Sequence, residues 1–448
     1  MEADLEDAEK LMENFSKRWS VDKGCLTIVD SWNRMIRFSN NSITASKFWH
    51  QITVAAYFII EGRRATAVID TPELTSVNEV IGRLTSTMKF MEPSPIPFDF
   101  PKGPFQYGEV EMFDHGILVD EDRLVDWIEA GINSSLEEGA ERSSGVLTTS
   151  RFRRCVVTTG GCEGLEEATR LEFNLRAFSD KDASGEESFA SSSLKGFDPQ
   201  SIGREAGRIA SQSKSKEKTR SGRFNAILHP NVVANLMESV GGACSAYSVD
   251  IGLSFLLSKL GKGVASPMFS LTDNPRFPDS PGSHLFDDEG YPTQEVKLID
   301  EGFLRTYLHS SYTAAKLGGS LTGSAFITPP VGTLPMAQSL IIDPGEYTLE
   351  EMIEDVKEGV FVTNNWYTRF QNYLTGDFST IPRDGTFKIR DGEISGSIEG
   401  LRISDNMPRI LSSIVGITRH RKWVKRWDAE TPTFSPYLTV KEVTFTAI

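Results

Sequence analysis

The sequence predicts an α+β protein: an N-terminal mixed α/β domain with an antiparallel sheet, then a β-rich C-terminal domain. Three observations predict it. Strand-length and helix-length apolar patterns follow one another irregularly, without the βαβ alternation of a parallel sheet. A chain of 448 residues is too long for one ordinary hydrophobic core. A polar segment interrupts the apolar patterning near residue 215.

Apolar residues at helical spacing predict four helices in the first half, over 4–19, 74–88, 121–136 and 199–211. The stripe of the first consists of Leu5, Ala8, Leu11, Met12 and Phe15. The inner face of the second consists of Val77, Val80, Ile81 and Leu84.

Strand-like runs of the first half lie at 26–29, 35–38, 53–60, 65–69, 145–149, 155–159 and 171–177. The pairs Asn40-Asn41 and Glu61-Gly62 predict turns between them. Residues 93–107 are rich in Pro, Gly and Phe and predict a loop packed on the surface. Residues 212–222 are polar and charged and predict a solvated linker, which divides the chain into domains 1–215 and 216–448.

The second half carries clear turn and cap signals. Two hairpins are predicted, at 295–308 around Asp300-Glu301-Gly302 and at 387–397 around Asp391-Gly392. Between them, Thr348 and Glu351 form a capping-box pattern at the start of a helix. Its predicted buried stripe is Leu349, Met352, Ile353 and Val356, and Gly359 is predicted to end it.

Composition limits the possible functions. The net charge of −15 argues against nucleic acid as a general partner, because a negative protein surface repels the phosphate backbone. No apolar run reaches the length of a membrane helix and the first residues are acidic, so we expect a cytoplasmic protein that does not contact membranes. The four cysteines lack metal-ligand or disulfide spacing; they are Cys25, Cys155, Cys162 and Cys244.

Several motifs have simple structural interpretations. The glycine-rich run 160–164 lacks a phosphate-loop Lys and predicts a flexible hairpin end. Ser188–193 contains no nucleophile elbow, and Cys162 and Cys244 have no His nearby to activate a thiol. His284 stands near Asp287, Asp288 and Glu289, which suggests either a hard-metal site or a tight turn; we favour the turn, because Asp side chains bond their own backbone.

Ordered motifs in residues 224–400 resemble one family. They are Phe224-Asn-Ala-Ile-Leu-His-Pro-Asn, Gly263-Val-Ala-Ser-Pro, Leu271-Thr-Asp-Asn-Pro, Phe286-Asp-Asp-Glu-Gly-Tyr-Pro-Thr, Tyr312-Thr-Ala-Ala-Lys-Leu-Gly, Leu340-Ile-Ile-Asp-Pro-Gly-Glu and Thr375-Gly-Asp-Phe-Ser. In these blocks the chain resembles the TldD/PmbA peptidases. Residues 37–41 and 61–64 of the first half match more weakly.

The resemblance implies a heterodimer in which a TldD-type subunit holds zinc through a His-Glu-x-x-x-His motif and a later cysteine. Here Met237 and Gly242 stand where the two histidines belong, and Glu238 keeps the place of the catalytic glutamate. The motif therefore reads Met237-Glu238-Ser239-Val240-Gly241-Gly242, and no cysteine follows Cys244. The resemblance thus implies a TldE/PmbA-type subunit with no metal or other cofactor of its own, whose partner supplies zinc.

The same stretch has a plain interpretation from spacing. Val233, Leu236, Met237 and Val240 form one apolar helix face, which predicts that Met237 lies in the core. Glu238 lies off that face and is expected to be solvated or paired. Gly241 and Gly242 predict a left-handed helix end.

Candidate peptide or partner contacts follow from motif position; they are Asn364, Asn372, Thr375 and Asp377. The basic run 419–427 adds Arg421, Lys422 and Lys425. It suggests either a helix end with Trp423 and Trp427 packed inward, which we favour, or a patch that binds an acidic partner or a peptide carboxylate.

Two other functions stay open from sequence alone. One is an independent homodimeric peptidase or hydrolase that uses Glu238 or an unrecognised site. The other is a peptide-binding scaffold without proteolysis.

Overall fold

The computed structural model describes residues 5–19, 21–71 and 77–447. Its helices are α1 (Leu5–Trp19), α2 (Val77–Met88), α3 (Glu121–Glu137), α4 (Pro199–Gln212), α5 (Pro230–Ala243), α6 (Ala246–Asp250), α7 (Ser311–Leu317), α8 (Leu349–Asp355) and α9 (Met407–Ser412). The predicted helical residues 4 and 74–76, and the side chains of Leu5 and Phe15, lie outside the described part.

The first sheet has six strands among the described residues. They are β1 (Lys23–Ser39), β2 (Ser42–Ile60), β3 (Arg63–Thr71), β4 (Arg142–Thr158), β5 (Glu163–Phe178) and β6 (Ser184–Ser191). The strand order is β3-β2-β1-β4-β5-β6, and each neighbouring pair is antiparallel. The predicted antiparallel sheet is confirmed.

These strands are longer than the sequence predicts. The separate strands expected at 26–29 and 35–38 are one strand, because the β1–β2 ladder continues through polar pairs such as Ser31 with Gln51. The predicted strands at 145–149 and 155–159 are likewise joined in β4. The turns are confirmed: Asn40 and Asn41 have positive φ values of 50° and 63°.

Two helix pairs cover one face of this sheet. Helices α1 and α2 pack on Leu26, Ile28 and Val54, while α3 and α4 pack on Ile36 and Phe173. Alternate residues of a strand share a face, so even-numbered positions of β1 meet both helix pairs. The predicted burial of Val80 on α2 is wrong, since that side chain is 39% exposed.

The second sheet has twelve strands in the described chain. They are β7 (Glu217–Lys218), β8 (Gly222–Leu228), β9 (Leu271–Asp273), β10 (Val296–Asp300), β11 (Phe303–Leu304), β14 (Leu340–Ile342), β15 (Glu358–Asn372), β16 (Asp377–Arg390), β17 (Glu393–Glu399), β18 (Leu401–Asn406), β19 (Ile414–Arg426) and β20 (Ala429–Ala447). Strands β12 (Ala325–Thr328) and β13 (Gly332–Pro335) form a separate hairpin. Strand β20 pairs with four others, β8, β14, β18 and β19.

Several local predictions for the second half are confirmed. Asp391 and Gly392 take positive φ between β16 and β17, and Glu301 and Gly302 do so between β10 and β11. Strand β11 is shorter than the predicted strand that ends at residue 308, because its pairing with β10 ends at Leu304. Helix α8 begins with the predicted capping box but ends at Asp355, before Gly359.

The β4–β5 turn at residues 160–162 is the predicted hairpin end. All four cysteines are buried. None of the helices in the described ranges combines the length and apolarity needed to cross a membrane. The division into domains near residue 215 stays a prediction.

Candidate functional site

Helix α5 carries Met237, Glu238 and Gly242, the residues that the resemblance matches to a zinc motif. It follows β8, and Nδ1 of His229 accepts the backbone N–H of Asn231 at 3.1 Å, which caps the helix start. The predicted apolar face is confirmed, because Val233, Leu236, Met237 and Val240 are all buried. Met237 is only 1% exposed and lies in the main core of the second sheet.

Glu238 lies on the outer side of α5, where its carboxylate is half-buried. It accepts the backbone N–H of Thr431 at 2.7 Å and the hydroxyl of Thr431 at 3.1 Å. Glu238 is therefore paired, which is one of the two environments predicted for it from the sequence, solvated or paired. Its two acceptor bonds connect the helix to the start of β20.

Gly242 lies one turn after Glu238 on the same side of the helix and is exposed. A Cβ built on it would meet no atom within 4 Å. The predicted left-handed helix end is wrong: α5 continues to Ala243, and Cys244 has a right-handed φ of −75°. Because the N–H of Cys244 bonds the carbonyl of Val240 at 3.0 Å, the helix needs no left-handed residue to end.

These residues do not fit a zinc site. Zinc in proteins is held by thiolate, imidazole or carboxylate donors in close tetrahedral geometry. The Met237 thioether faces the core, Gly242 has no side chain, and Glu238 is occupied by Thr431. Burial also raises the pKa of the nearby Cys244 thiol to about 12, which disfavours a thiolate there.

A buried amide network begins on α5 one turn before Glu238. The Asn365 amide donates to Oδ1 of Asn235 at 2.8 Å and to the Thr380 hydroxyl at 2.9 Å. The amide of Asn235 in turn donates to the backbone carbonyl of Asp428 at 2.5 Å. Helix α5 is thereby fixed to β15, β16 and the β19–β20 turn.

Arg426 is the buried cation at the centre of this region. Its guanidinium binds Asp428 through two hydrogen bonds, at 2.6 and 2.9 Å. It also donates to Oδ1 of Asn364 at 2.6 Å and to Glu186 at 3.2 Å. Arg426, on β19, thus links this strand to β6 and β15 through its hydrogen bonds.

Glu186 and Asp384 are two buried carboxylates that share the amide of Asn364, at 3.0 and 2.6 Å. Burial raises the pKa of Glu186 to about 7; the positive charge of Arg426 opposes this shift, and Asp384 adds to it. Arg176 pairs with Asp384 at 2.7 Å. The candidate contact Asn364 is therefore enclosed within this chain, and a role in peptide contact stays a prediction.

The other candidate contacts of that stretch lie on the exposed β15–β16 turn. Oδ1 of Asn372 accepts the N–H of Leu374 at 2.9 Å, and the hydroxyl of Thr375 donates to Asp377 at 2.6 Å. The hydrogen bonds from Thr375 and Asn406 lower the pKa of Asp377. These bonds shape the turn, and contact of these residues with a peptide or partner stays a prediction.

The favoured helix end at residues 419–427 is wrong, because this run belongs to strand β19. In an extended strand, its basic side chains alternate between faces and reach other strands. Lys422 pairs with Glu187 and Lys425 pairs with Glu172, which joins the two sheets. Arg421 donates to the Ile342 carbonyl at 2.7 Å and lies 4.5 Å from the Phe434 ring. Binding of a partner by these residues stays a prediction.

The two tryptophans of this run differ. Trp423 is buried as predicted, whereas Trp427 is 60% exposed, so its predicted inward packing is wrong. Trp427 lies after the last β19 residue and packs against Trp366, with ring centroids 5.7 Å apart.

The acidic block 287–289 is a turn, as predicted. Oδ1 of Asp287 accepts the N–H groups of Glu289 at 3.0 Å and Tyr291 at 2.9 Å, and Gly290 takes a φ of 73°. Glu289 instead binds Ser311, at 2.9 Å to the backbone N–H. Across the described ranges, no three His, Cys, Asp or Glu side chains are grouped as a metal site would require.

This turn is also joined to the first sheet through buried charges, a contact that is not predicted from the sequence. Arg154 donates to Asp288 at 2.6 Å and to Glu166 at 2.9 Å, and all three are buried. Glu166 also accepts from Nδ1 of His284 at 2.8 Å. Arg154 and Glu166 are opposite each other on β4 and β5, so the charge pairing of that hairpin was the available signal.

Residues 221–447, half of the chain, match the family model described as the PmbA/TldA metallopeptidase C-terminal domain. The chain belongs to the PmbA/TldD metallopeptidase family. Two curated relatives align over about half of this chain. A metalloprotease of Methanothermobacter thermautotrophicus is 29% identical over 228 residues, 50% of this chain and 49% of that protein. Metalloprotease PmbA of Escherichia coli O157:H7 is 26% identical, over 49% of this chain and 46% of that protein.

The chain thus spans about half the length of the curated relatives it matches. The structural likeness extends further. TldE from Thermococcus kodakarensis superposes with a TM-score of 0.87 at 20% identity, over 98% of this chain and all of that one. At that identity the likeness concerns the fold, and it includes the first sheet, which lies outside the residues matched by the family model.

Proposed function

We propose that this chain is a metal-free, TldE/PmbA-like subunit of a heterodimeric peptidase, in which a TldD-type partner holds the zinc. It contributes a wall of the peptide chamber and does not cut peptides alone. The whole complex degrades or matures peptides.

The observation that carries this proposal is the state of α5 at positions 237, 238 and 242. These positions offer no set of zinc donors. The Met237 thioether lies in the core, Gly242 has no side chain, and the Glu238 carboxylate is bonded to Thr431. Polarisation of a scissile carbonyl then needs groups from another chain. The open space at Gly242 supports a role for this side of α5 in lining a chamber.

The direct test is zinc analysis and peptide hydrolysis, for the chain alone and for the chain co-expressed with a TldD-type protein. We expect hydrolysis only in the mixture, with zinc in proportion to the partner. Stoichiometric zinc in the lone chain, or turnover by it that survives a chelator, would contradict the proposal and favour an independent enzyme. Absence of hydrolysis even in the mixture would favour a scaffold.

Glu238→Gln tests whether Glu238, which the resemblance matches to a catalytic glutamate, takes part in hydrolysis by the mixture. Because the carboxylate of Glu238 is engaged by Thr431, we expect hydrolysis to change less than about threefold. A general base would lose roughly 10²–10⁴-fold instead. Glu430→Gln, an exposed neighbour, is the matched control.

Gly242→Trp tests the chamber wall. An indole placed in the open space beside α5 is expected to lower kcat/KM of the mixture about tenfold or more, since a misplaced peptide reacts poorly. Gly242→Ala adds one methyl group where no atom lies within 4 Å, so it is expected to leave hydrolysis unchanged. Equal activity of the two variants would mean that this side of the helix does not face the peptide.

A further inference from the structure

Strand β2 has an unpaired edge over the half that follows the β1–β2 turn. Strand β3 pairs with β2 from Ile52 to Ile60 and no further towards that turn. Residues 43–51 pair with β1 alone among the strands that the structure describes, and we call them the free edge. A strand with a partner on one side presents a row of unpaired backbone N–H and carbonyl groups on the other.

The free edge directs backbone groups outward at its even-numbered residues. The carbonyl of Ile59 accepts the N–H of Asp22, the residue before β1, at 3.0 Å. The β1–β2 register is unbroken over residues 45–59 of β2. Because backbone groups of successive strand residues point to opposite edges, odd-numbered residues of β2 face β1. The even-numbered residues therefore face the unpaired side; they are Ser46, Phe48 and His50.

The side chains of the free edge are exposed to an extent that is unusual within a sheet. Phe48 is 62% exposed, Ile43 41% and Trp49 36%. Sheets commonly protect such an edge with charges, prolines or a covering element. The free edge contains one lysine, Lys47, and no proline or acidic residue. Exposed aromatic side chains beside unpaired backbone groups are typical of a strand that pairs with another chain.

The free edge is held in place from the β1 side. Nε2 of His50 lies 2.5 Å from Oδ1 of Asp30, and the ring of His50 stacks on Trp32 with centroids 4.8 Å apart. The Arg34 guanidinium lies 5.7 Å from the centre of the Phe48 ring. An added strand therefore meets a backbone that is already ordered, which lowers the entropic cost of binding.

One face of the free edge indicates which side chains an added strand would carry. Ala45, Lys47 and Trp49 lie on that face, because the side chains of a strand alternate between faces. Arg37, opposite Ala45 on β1, adds a second positive charge there. Lys47 has no salt bridge within the part of the chain that the structure describes. A carboxylate opposite Lys47, with apolar side chains two residues to either side, would be stabilised by cross-strand contacts.

Charge complementarity disfavours a second copy of the chain as the occupant. Antiparallel self-pairing over the whole free edge would place the two-fold axis at Lys47, so the two Lys47 ammonium groups would face each other. The carboxylate that β3 contributes to this face is Asp70, which is opposite Thr53. Thr53 is six residues from Lys47, about 20 Å along the strand, so Asp70 would not relieve the repulsion.

We propose that the free edge binds an extended segment of the peptide substrate as an additional strand of the first sheet, with an acidic residue of the peptide opposite Lys47. This inference rests on the proposed function, which supplies the peptide. The site belongs to the first sheet, whereas α5 packs in the core of the second. It holds one part of a long substrate: main-chain hydrogen bonds provide affinity for many sequences, and Lys47 and Trp49 provide preference.

The first test measures peptide binding by the purified lone chain, which needs neither zinc nor a partner. The probe is a blocked, fluorescein-labelled peptide, Ser-Thr-Val-Thr-Glu-Thr-Val-Thr-Ser, with a valine two residues to either side of the glutamate. In fluorescence anisotropy at low salt we expect it to bind at least about threefold more tightly than the same peptide with glutamine in place of glutamate. The difference should shrink at high salt. No binding, or equal binding of the two peptides, would overturn the inference.

Ser46→Pro tests pairing through the backbone. It removes an N–H on the unpaired side and no bond to β1, and an edge strand tolerates proline. We expect the probe to bind about tenfold more weakly or worse. Ser46→Thr keeps the N–H and is expected to bind like the natural chain. Thermal unfolding of both variants checks the fold, and equal affinities would contradict pairing at this edge.

Lys47→Glu tests the charge without changing the backbone. The preference between the two peptides should reverse, so that the glutamine peptide binds more tightly than the glutamate peptide. A preference that stays as in the natural chain would contradict the placement of the acidic residue opposite Lys47.

Hydrolysis by the mixture with a TldD-type subunit separates this inference from the proposed function. For a substrate peptide that carries the probe sequence, Ser46→Pro is expected to raise KM at least about threefold and to change kcat less than about twofold, because the free edge lies outside the chamber. An unchanged KM would overturn the inference and leave the proposed function intact.

Two other outcomes decide between occupants. Binding of the probe by the lone chain, with no hydrolysis in the mixture, would refute the proposed function and keep the free edge as a peptide-binding site. A homodimer of the lone chain in analytical ultracentrifugation that Ser46→Pro abolishes would assign the free edge to a second copy and overturn the inference.

Discussion

Glu166 and Glu186 are both buried where the first sheet meets the second, yet their pKa values shift in opposite directions. Burial alone would raise the pKa of Glu166, but the charges of His284 and Arg154 and their hydrogen bonds lower it to about 2. Burial raises the pKa of Glu186 to about 7 despite Arg426. Equal burial therefore does not decide the charge of a buried glutamate.

The difference lies in how many donors each carboxylate has to itself. Glu166 accepts from Arg154 at 2.9 Å, His284 at 2.8 Å and the Leu285 N–H at 2.6 Å. Glu186 accepts from Arg426 at 3.2 Å and Asn364 at 3.0 Å. Both of these donors also serve other carboxylates. The cluster beside α5 thus has fewer donors for its charge than the joint at the acidic turn.

The largest expected effect is loss of the shared cation. Arg426→Met leaves Glu186 and Asp428 buried without their main partner, so we expect a loss of about 3–5 kcal/mol in the free energy of unfolding. Urea unfolding at pH 8 measures it. Arg390→Met removes an exposed cation and is expected to change stability by less than about 0.5 kcal/mol. Similar values for the two variants would mean that Arg426 does not neutralise this cluster.

Removing each charge while keeping the side-chain shape sharpens the comparison. Glu166→Gln is expected to cost about 2–3 kcal/mol at pH 8, because it replaces charged hydrogen bonds to Arg154 and His284. Glu186→Gln is expected to cost less than about 1 kcal/mol at pH 8, because the raised pKa of Glu186 means that its surroundings stabilise the charged form less well than water does. Equal losses in the free energy of unfolding for the two substitutions, measured by urea unfolding, would contradict the difference between the two glutamates.

The pH dependence should carry opposite signs. The raised pKa of Glu186 means that the folded state binds more protons than the unfolded state between about pH 4.5 and 7. Its contribution to stability is present at low pH and falls as pH rises through this window. We expect the natural chain to lose roughly 1–3 kcal/mol more than Glu186→Gln between pH 5 and 8.

Glu166 gives the reverse profile. Its lowered pKa means that its contribution is present above about pH 4.5 and is lost as pH falls towards 2. Parallel pH profiles for the natural chain and Glu186→Gln would remove the distinction between the two clusters.

The smallest expected effect is at the rim of the joint between the sheets. Lys425 pairs with Glu172, and both are about one-quarter exposed. Lys425→Met is expected to cost no more than about 1 kcal/mol, since water screens such pairs. Thermal unfolding at low and high salt checks this, and a cost that does not fall with salt would argue against an ion pair.

Local signals in the sequence predicted local structure well. The capping box at Thr348, the Asp391-Gly392 turn and the apolar face around Met237 all appear as expected. Each of these depends on residues within one or two turns of each other. Family resemblance added the match of residues 237–242 on α5 to a zinc motif; spacing alone would have predicted only a helix with a buried face.

Long-range pairing explains what was missed. Strands β1 and β4 pass through polar stretches whose hydrogen-bonded partners lie far away in sequence, so their length was underestimated. The run 419–427 looks like a helix end because lysines and arginines cluster there. The run is a strand because it pairs with β20, and its lysines form ion pairs with Glu172 and Glu187 of the first sheet.

Strand β20 also determines the order in which the two sheets can form during translation. It joins β8, β14, β18 and β19, and every one of these precedes it in the sequence. About 200 residues separate β8 from β20, which corresponds to roughly 10–40 s of translation. During that time all strands of the first sheet are available to pair with one another. The strands of the second sheet that pair with β20 lack this partner until it has left the ribosome.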